Sequence, residues 1–176
     1  MIINSKTAEE KAILDAAYAI CAAARTAPKA CGIDTSETCI VTGTEKDTLS
    51  EEMRRLAKEN NEPLFARDAD NMDKSPAVVL VGVTEKPRGI GKMCSLCHYD
   101  GCGDCAENDG WCIFNYIDLG IALGSAVAKA ADMRIDNRMM FTIGKAAAAL
   151  SMLGDNKCIM GIPLSVSGKS VFFDRK

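Results

Sequence analysis

The sequence predicts an α+β fold, a mixed sheet packed with helices, in one domain spanning residues 1–176. Three observations carry that reading. Helical and strand-like segments follow one another without a strict strand–helix–strand rhythm, which argues against a doubly wound parallel sheet. Ala77–Val83 (Ala-Val-Val-Leu-Val-Gly-Val) is an unbroken apolar run rich in β-branched residues, the pattern of a central strand buried on both faces. The chain has 176 residues, 48% hydrophobic and 26% charged, enough for one ordinary core and outside the disordered and collagenous classes.

Thr7-Ala8-Glu9-Glu10 reads as a capping box with Thr7 as N-cap, opening a helix to about Arg25. Ile13, Ala16, Ala17, Ile20 and Ala24 form its inward stripe, and Pro28 and Gly32 end it. Residues 38–41 read as a short strand closed by Gly43. A second helix covers about 48–59, with Leu49, Met53 and Leu56 inward, and a short third one 64–71. After the central strand, residues 84–111 form a loop punctuated by Pro87, Gly89, Gly91, Gly101, Gly103 and Gly110. It is too long for a neutral connection. A helix over 114–132 follows, apolar nearly all round and therefore central or at an interface. Its Gly120, Gly124 and Ala128 form a row of small residues that lets another helix come close, and this predicts a homodimer. The chain closes with a short strand (139–143), an Ala-rich helix (144–153) and two strands, Cys158–Ser165 and 170–173.

The net charge of −3 argues against a broad nucleic-acid footprint, and 5% aromatic residues against base-stacking platforms. The start of the chain lacks the basic and apolar regions of a signal peptide, and the apolar stretch at 117–131, interrupted by Asp118 and Lys129, is too short to span a bilayer. The expectation is a cytoplasmic protein with no membrane and no nucleic-acid partner. In that compartment clustered cysteines are metal ligands or redox groups before they are disulfides.

Of nine cysteines, five fall within residues 94–112, spaced Cys94-x2-Cys97-x4-Cys102-x2-Cys105-x6-Cys112. Five thiols on one Gly-rich loop, residues 84–113, can converge on a single point. An iron–sulfur cluster takes four thiolates, and glycines let backbone amides approach its sulfurs. Zinc also accepts four cysteines, but ribbon-type sites separate their Cys-x2-Cys pairs by roughly 15–20 residues, whereas here only four intervene. An iron–sulfur cluster is therefore the first reading, zinc the second and metal-free thiols the third. Cys97-x4-Cys102-x2-Cys105 also fits a two-iron spacing, so spacing leaves the nuclearity open. Nor does it choose between Cys105 and Cys112 as fourth ligand.

His98, the only histidine, reads as an exposed loop residue ahead of a ligand or proton donor. Cys21, Cys39 and Cys158 read as core, and Cys31 as core or loop packing ahead of a cofactor contact. Gly168-Lys169-Ser170 is not a phosphate loop: Pro163 stands where the motif needs glycine, and a strand pattern follows instead of a helix. Gly89-Ile90-Gly91 lacks the third glycine of a dinucleotide fingerprint. Asp118, Asp132 and Asp136 read as isolated carboxylates in caps or solvent.

Cys94-Ser-Leu-Cys97-His-Tyr-Asp-Gly-Cys102 resembles a four-iron motif of anaerobic electron-transfer subunits, Cys-x2-Cys-Gly-aromatic-x2-Cys with a last cysteine further on. Tyr99 takes the aromatic position and His98 stands in place of the glycine. The resemblance implies a 4Fe-4S cluster held by Cys94, Cys97, Cys102 and Cys112, with Cys105 a bystander.

Ala22-Ala-Ala-Arg25-Thr-Ala-Pro28 resembles the helix end of the nitroreductase-like fold that leads into a flavin-binding loop. The chain as a whole is similar to the bacterial and archaeal ferredoxin domain-containing proteins. Cys112-Ile-Phe-Asn-Tyr-Ile-Asp-Leu-Gly-Ile-Ala122 and Asp136-Asn-Arg-Met-Met-Phe-Thr-Ile-Gly-Lys145 carry that similarity, most specifically over residues 90–176. It implies a nitroreductase-like α+β fold.

Flavin-binding members hold the FMN phosphate with an Arg-rich segment ahead of the Ala-Ala-Arg helix. Here Lys6 is the only basic residue before that helix, and Lys29-Ala-Cys-Gly-Ile33 replaces the flavin-contacting Ser and Asn. Arg175 and Lys176 are the remaining phosphate partners, so tight FMN binding is not expected. The function expected is electron transfer or a small redox reaction, with a redox protein or small electron carrier as partner. The alternatives are a zinc- or cluster-stabilised interaction module without catalysis, and a flavin oxidoreductase.

Overall fold

Strand β2 (Ala77–Val83) occupies the middle of a four-stranded sheet, and every one of its residues is buried. The computed structural model describes residues 1–154 and 158–173. The sheet also holds β1 (Ser36–Thr42), β3 (Asp136–Asn137) and β4 (Cys158–Ser165), in the order β1-β2-β4-β3. All of its pairings are antiparallel, where a mixed sheet was expected. β2 pairs with β1 from Ala77↔Thr42 to Val83↔Ser36, and with β4 from Ala77↔Leu164 to Val83↔Cys158.

The alternation of side chains along β2 divides the core in two. Ala77, Val79, Val81 and Val83 pack with α1 (Ser5–Thr26) and α5 (Ile113–Asp132). Val78 and Leu80 face α2 (Gly43–Asn60), α3 (Pro63–Asp73) and α6 (Phe141–Ala149). The result is a helix–sheet–helix sandwich. A sixth helix, the short α4 (Gly101–Glu107 in chain order), lies inside the cysteine loop.

The predicted inward stripe of α1 is buried as read, but the helix starts earlier. Asn4, not Thr7, is its N-cap: the Asn4 side chain accepts the Thr7 amide at 2.9 Å, so the Thr7–Glu10 box lies within the helix. Helix α2 begins directly at Gly43, whose φ of 57° turns the chain out of β1, five residues ahead of the expected start at Thr48. In α5, Leu119, Ala122, Ala126 and Ala130 are buried, while Ile117, Gly120, Ile121, Gly124 and Ala128 form an exposed apolar stripe. Ser125 on its flank donates to the Ala23 carbonyl of α1 at 2.9 Å.

Two expected strands are absent. Residues 139–143 contribute only a bridge, Met140 to Gly161, and the chain enters α6 at Phe141. Backbone contact explains it: a Cβ on Gly144 would lie 1.7 Å from the Ile159 carbonyl oxygen, and one on Gly161 would lie 2.2 Å from Ile143 Cγ2. Helix α6 rests on β4 backbone to backbone, so it must already be helical where it meets the strand. Residues 171–173 form a turn, and their apolar character serves burial of Phe172, not pairing. Asp68 of α3 joins this layer as a buried acceptor for Thr142 Oγ1 at 2.8 Å. Among the described residues, no helix is long and apolar enough to cross a membrane.

The α6–β4 contact gives a direct test. Gly144→Ala should lower stability in urea denaturation by about 3 kcal/mol, since the new methyl group cannot fit without separating helix from strand. Gly124→Ala, with open space around its Cβ, should gain up to about 1 kcal/mol from helix propensity.

Candidate functional site

The connection from β2 to α5 is anchored by a buried ion pair. Arg88 Nη2 donates to Asp118 Oδ2 at 2.7 Å, with side-chain exposures of 0% and 4%. Arg88 Nη1 also donates to the Lys86 carbonyl at 2.9 Å. Asp118 lies on the buried side of α5, and its Oδ1 accepts the Ala30 amide at 3.0 Å. The pair thus ties together the cysteine loop, the central helix and the 3-10 turn Ala30–Gly32 that follows α1. Asp118 is a structural anchor, not the cap or solvated carboxylate expected. A lone carboxylate in the middle of an apolar helix was the available signal, because a buried charge requires a partner.

Beyond Arg88 the loop turns tightly. Ser95 and His98 take left-handed backbone, φ 41° and 65°. Both are backbone conformations that favour glycine. The His98 side chain itself is exposed, as expected for a loop residue. Within α4, Asp104 caps the turn by accepting the Asp100 amide at 2.8 Å. Tyr99 then folds over Gly110: a Cβ there would lie 2.4 Å from its ring and 2.9 Å from the Cys105 carbonyl. Gly110 therefore brings the end of the loop back onto its middle.

This folding sets the five thiols apart by environment. Cys94, Cys97 and Cys102 are half-buried, while Cys105 and Cys112 are buried. Burial pushes the Cys105 thiol up to about 11, helped by its hydrogen bond with Cys97 and by the nearness of the acidic groups of Cys97, Glu85 and Cys112. Glu85 Oε1 in turn accepts the Cys112 amide at 3.2 Å. Cys105 therefore lies against Cys97, with Glu85 and Cys112 close by. Among the described residues, no three Cys, His, Asp or Glu side chains stand in position to hold a metal ion. The donors suit thiophilic chemistry: five thiols on one loop, of which a bound cation would deprotonate those it takes. A cavity of about 640 Å³, bordered by Glu85, Pro87, Asp109 and Trp111, opens beside them.

The other cysteines lie elsewhere. Cys21 and Cys39 are half-buried near one another, and burial raises both thiols, that of Cys39 to about 11. Cys31 is exposed in left-handed backbone (φ 56°). Cys158 is half-buried beside Tyr116 and Lys145. Arg175 and Lys176 lie outside the described residues.

Residues 108–175 match the model of a family described as "Uncharacterized protein containing a ferredoxin domain". An "Uncharacterized protein" of Archaeoglobus fulgidus is 39% identical over 183 residues, covering 99% of this chain and 98% of its own. The fold is similar to that of a nitroreductase with bound FMN from Bacteroides fragilis: TM-score 0.59, 16% identity, 100% of this chain and 84% of that one. A nitroreductase with bound FMN from Desulfitobacterium hafniense gives TM-score 0.55 at 16% identity, over 96% and 81% of the two chains. The nitroreductase-like fold read from the sequence is thereby established.

The Arg88–Asp118 anchor predicts an asymmetric mutational response. Asp118→Ala leaves a buried guanidinium unpaired and should cost about 3–5 kcal/mol, read from chemical denaturation. Replacing both partners, Arg88→Met with Asp118→Leu, should cost much less than that single change.

Proposed function

Since this chain belongs to the family of uncharacterized proteins containing a ferredoxin domain, we propose that it is a redox protein whose cysteine loop carries an iron–sulfur cluster. Cys94, Cys97, Cys102 and Cys112 would hold a 4Fe-4S cluster. What supports this most is the donor set: five cysteines on one Gly-rich loop, three of them half-buried and two buried, all free. Such a cluster supplies one-electron exchange with little rearrangement. The protein's own groups do the rest. The Arg88–Asp118 pair fixes the base of the loop, Glu85 holds the Cys112 amide, and the Tyr99 ring covers Gly110. Exposed Ile90, Met93 and Leu96 on the same loop offer an apolar surface to a redox protein or small electron carrier.

A zinc knot that presents this surface without redox chemistry is the second reading, favoured by the same thiols. A flavin reading has less support. In the last turn of α1 and the loop after it, where the fold's flavin proteins bind, the Arg25 and Lys29 side chains both pair with Asp34 and donate to backbone carbonyls, so neither is left to converge on a phosphate.

Metal, sulfide and flavin analysis of protein purified without oxygen tests the proposal. Cys94→Ser, Cys97→Ser, Cys102→Ser and Cys112→Ser should each lose most bound iron, and Cys105→Ser should retain it. Loss in Cys105→Ser with retention in Cys112→Ser would exchange the two assignments. Colourless protein with stoichiometric zinc would replace the redox reading by the zinc knot, and stoichiometric FMN would promote the flavin one.

The exposed stripe of α5 also supports a homodimer. Ile117 and Ile121 are each 41% exposed, and open space surrounds Gly120 and Gly124. Gly124→Leu should shift the protein toward monomer in sedimentation experiments, through overpacking of the close approach. An intact, equally stable dimer in that variant would remove this face from the interface.

A further inference from the structure

A second cavity, of about 390 Å³, shares Trp111 with the cavity beside the cysteine loop. Its border includes Trp111, Tyr116, Phe141, Lys145, Cys158 and Met160. We propose that it binds a planar aromatic anion, a small carboxylate or sulfonate with one or two rings.

Four features select that class. The volume falls in the range of small-molecule sites. The Trp111 and Tyr116 rings on its border stack on each other, centroids 5.3 Å apart and planes inclined by 29°, a fixed aromatic pair against which a planar ligand can pack. Phe141 faces the cavity from α6, its ring held edge-on by Phe65 at 5.8 Å. Lys145 is the one charged residue on the border, is exposed, and has no ion-pair partner among the described residues.

The remaining polar groups tolerate an anion. Burial keeps the Cys158 thiol and the Tyr116 phenol protonated beyond their ordinary ranges, so neither adds negative charge and the phenol can donate a hydrogen bond. The larger cavity that also borders Trp111 carries Glu85 and Asp109 and repels the same ligand. Charge thus directs an anion to the Lys145 side. The proposal does not depend on which metal, if any, the cysteine loop holds, and neither readout below reports on iron.

Calorimetric titration of the full-length protein, purified without oxygen, with 2-naphthoate is the test. Saturable binding with Kd below about 1 mM is expected, about 10-fold weaker in Lys145→Met and for the neutral 2-naphthamide on the unaltered protein. Lys145 is exposed, so its replacement leaves the core intact. In parallel, saturating 2-naphthoate should slow alkylation of Cys158 by iodoacetamide, mapped by mass spectrometry, and leave exposed Cys31 unaffected. No saturable heat up to about 5 mM would overturn the proposal. So would equal affinity in Lys145→Met, or an unchanged alkylation rate at Cys158.

Discussion

The buried Arg88–Asp118 pair is the constraint on which the rest of the cysteine loop depends. Removing two charges from water is costly, and their mutual attraction repays that only with good geometry and further hydrogen bonds. Here the carboxylate has a second donor, the Ala30 amide, and the guanidinium a second acceptor, the Lys86 carbonyl. Arg88 Nε is still buried without a partner. Such an arrangement is a poor source of net stability and a good source of uniqueness. A loop of about thirty residues could settle on the sheet end in many ways, but only one brings Arg88 to Asp118. Because Asp118 also holds the turn after α1, the loop's position and that of the first helix are set by the same carboxylate.

Much of the framework was legible because it rests on local patterns. β2 was bounded correctly because its apolar run is continuous and β-branched, and the stripe of α1 because its period is helical. The errors arose where a tertiary contact overrode a local preference. Val171-Phe172-Phe173 has strand composition, but burial of Phe172 in a turn satisfies it. Met139–Met140 looks extended, yet the requirement for Gly144 against Ile159 starts the helix at Phe141. Asn4 displaced Thr7 as cap because either residue suits the role, and packing further along α1 does not choose between them.

The site was legible in its chemistry and less so in its arrangement. Spacing located the five thiols and left open the choice between Cys105 and Cys112; the structure buries both and places Cys105 against Cys97. Helix α4 was missed because Gly101-Cys-Gly-Asp-Cys has little helical propensity; the Asp104 cap and the closure at Gly110 sustain it. Glu85 and Arg88 were invisible for a related reason. Their roles are defined only by residues 27 and 30 positions away, and no local pattern encodes such partners.

One strand belongs to both halves of the core. β2 sends alternate side chains into two hydrophobic layers, and its backbone is bonded on both sides by β1 and β4. Neither layer can open without exposing one face of that strand. The two layers are therefore coupled into one cooperative unit, and the amides of β2 should be the last to exchange with solvent. The cysteine loop leaves from the end of this strand at Val83. Beyond the Arg88–Asp118 anchor, the outer part of the loop can open on its own, so that it can rearrange around a ligand while the anchor and the sandwich behind it stay closed.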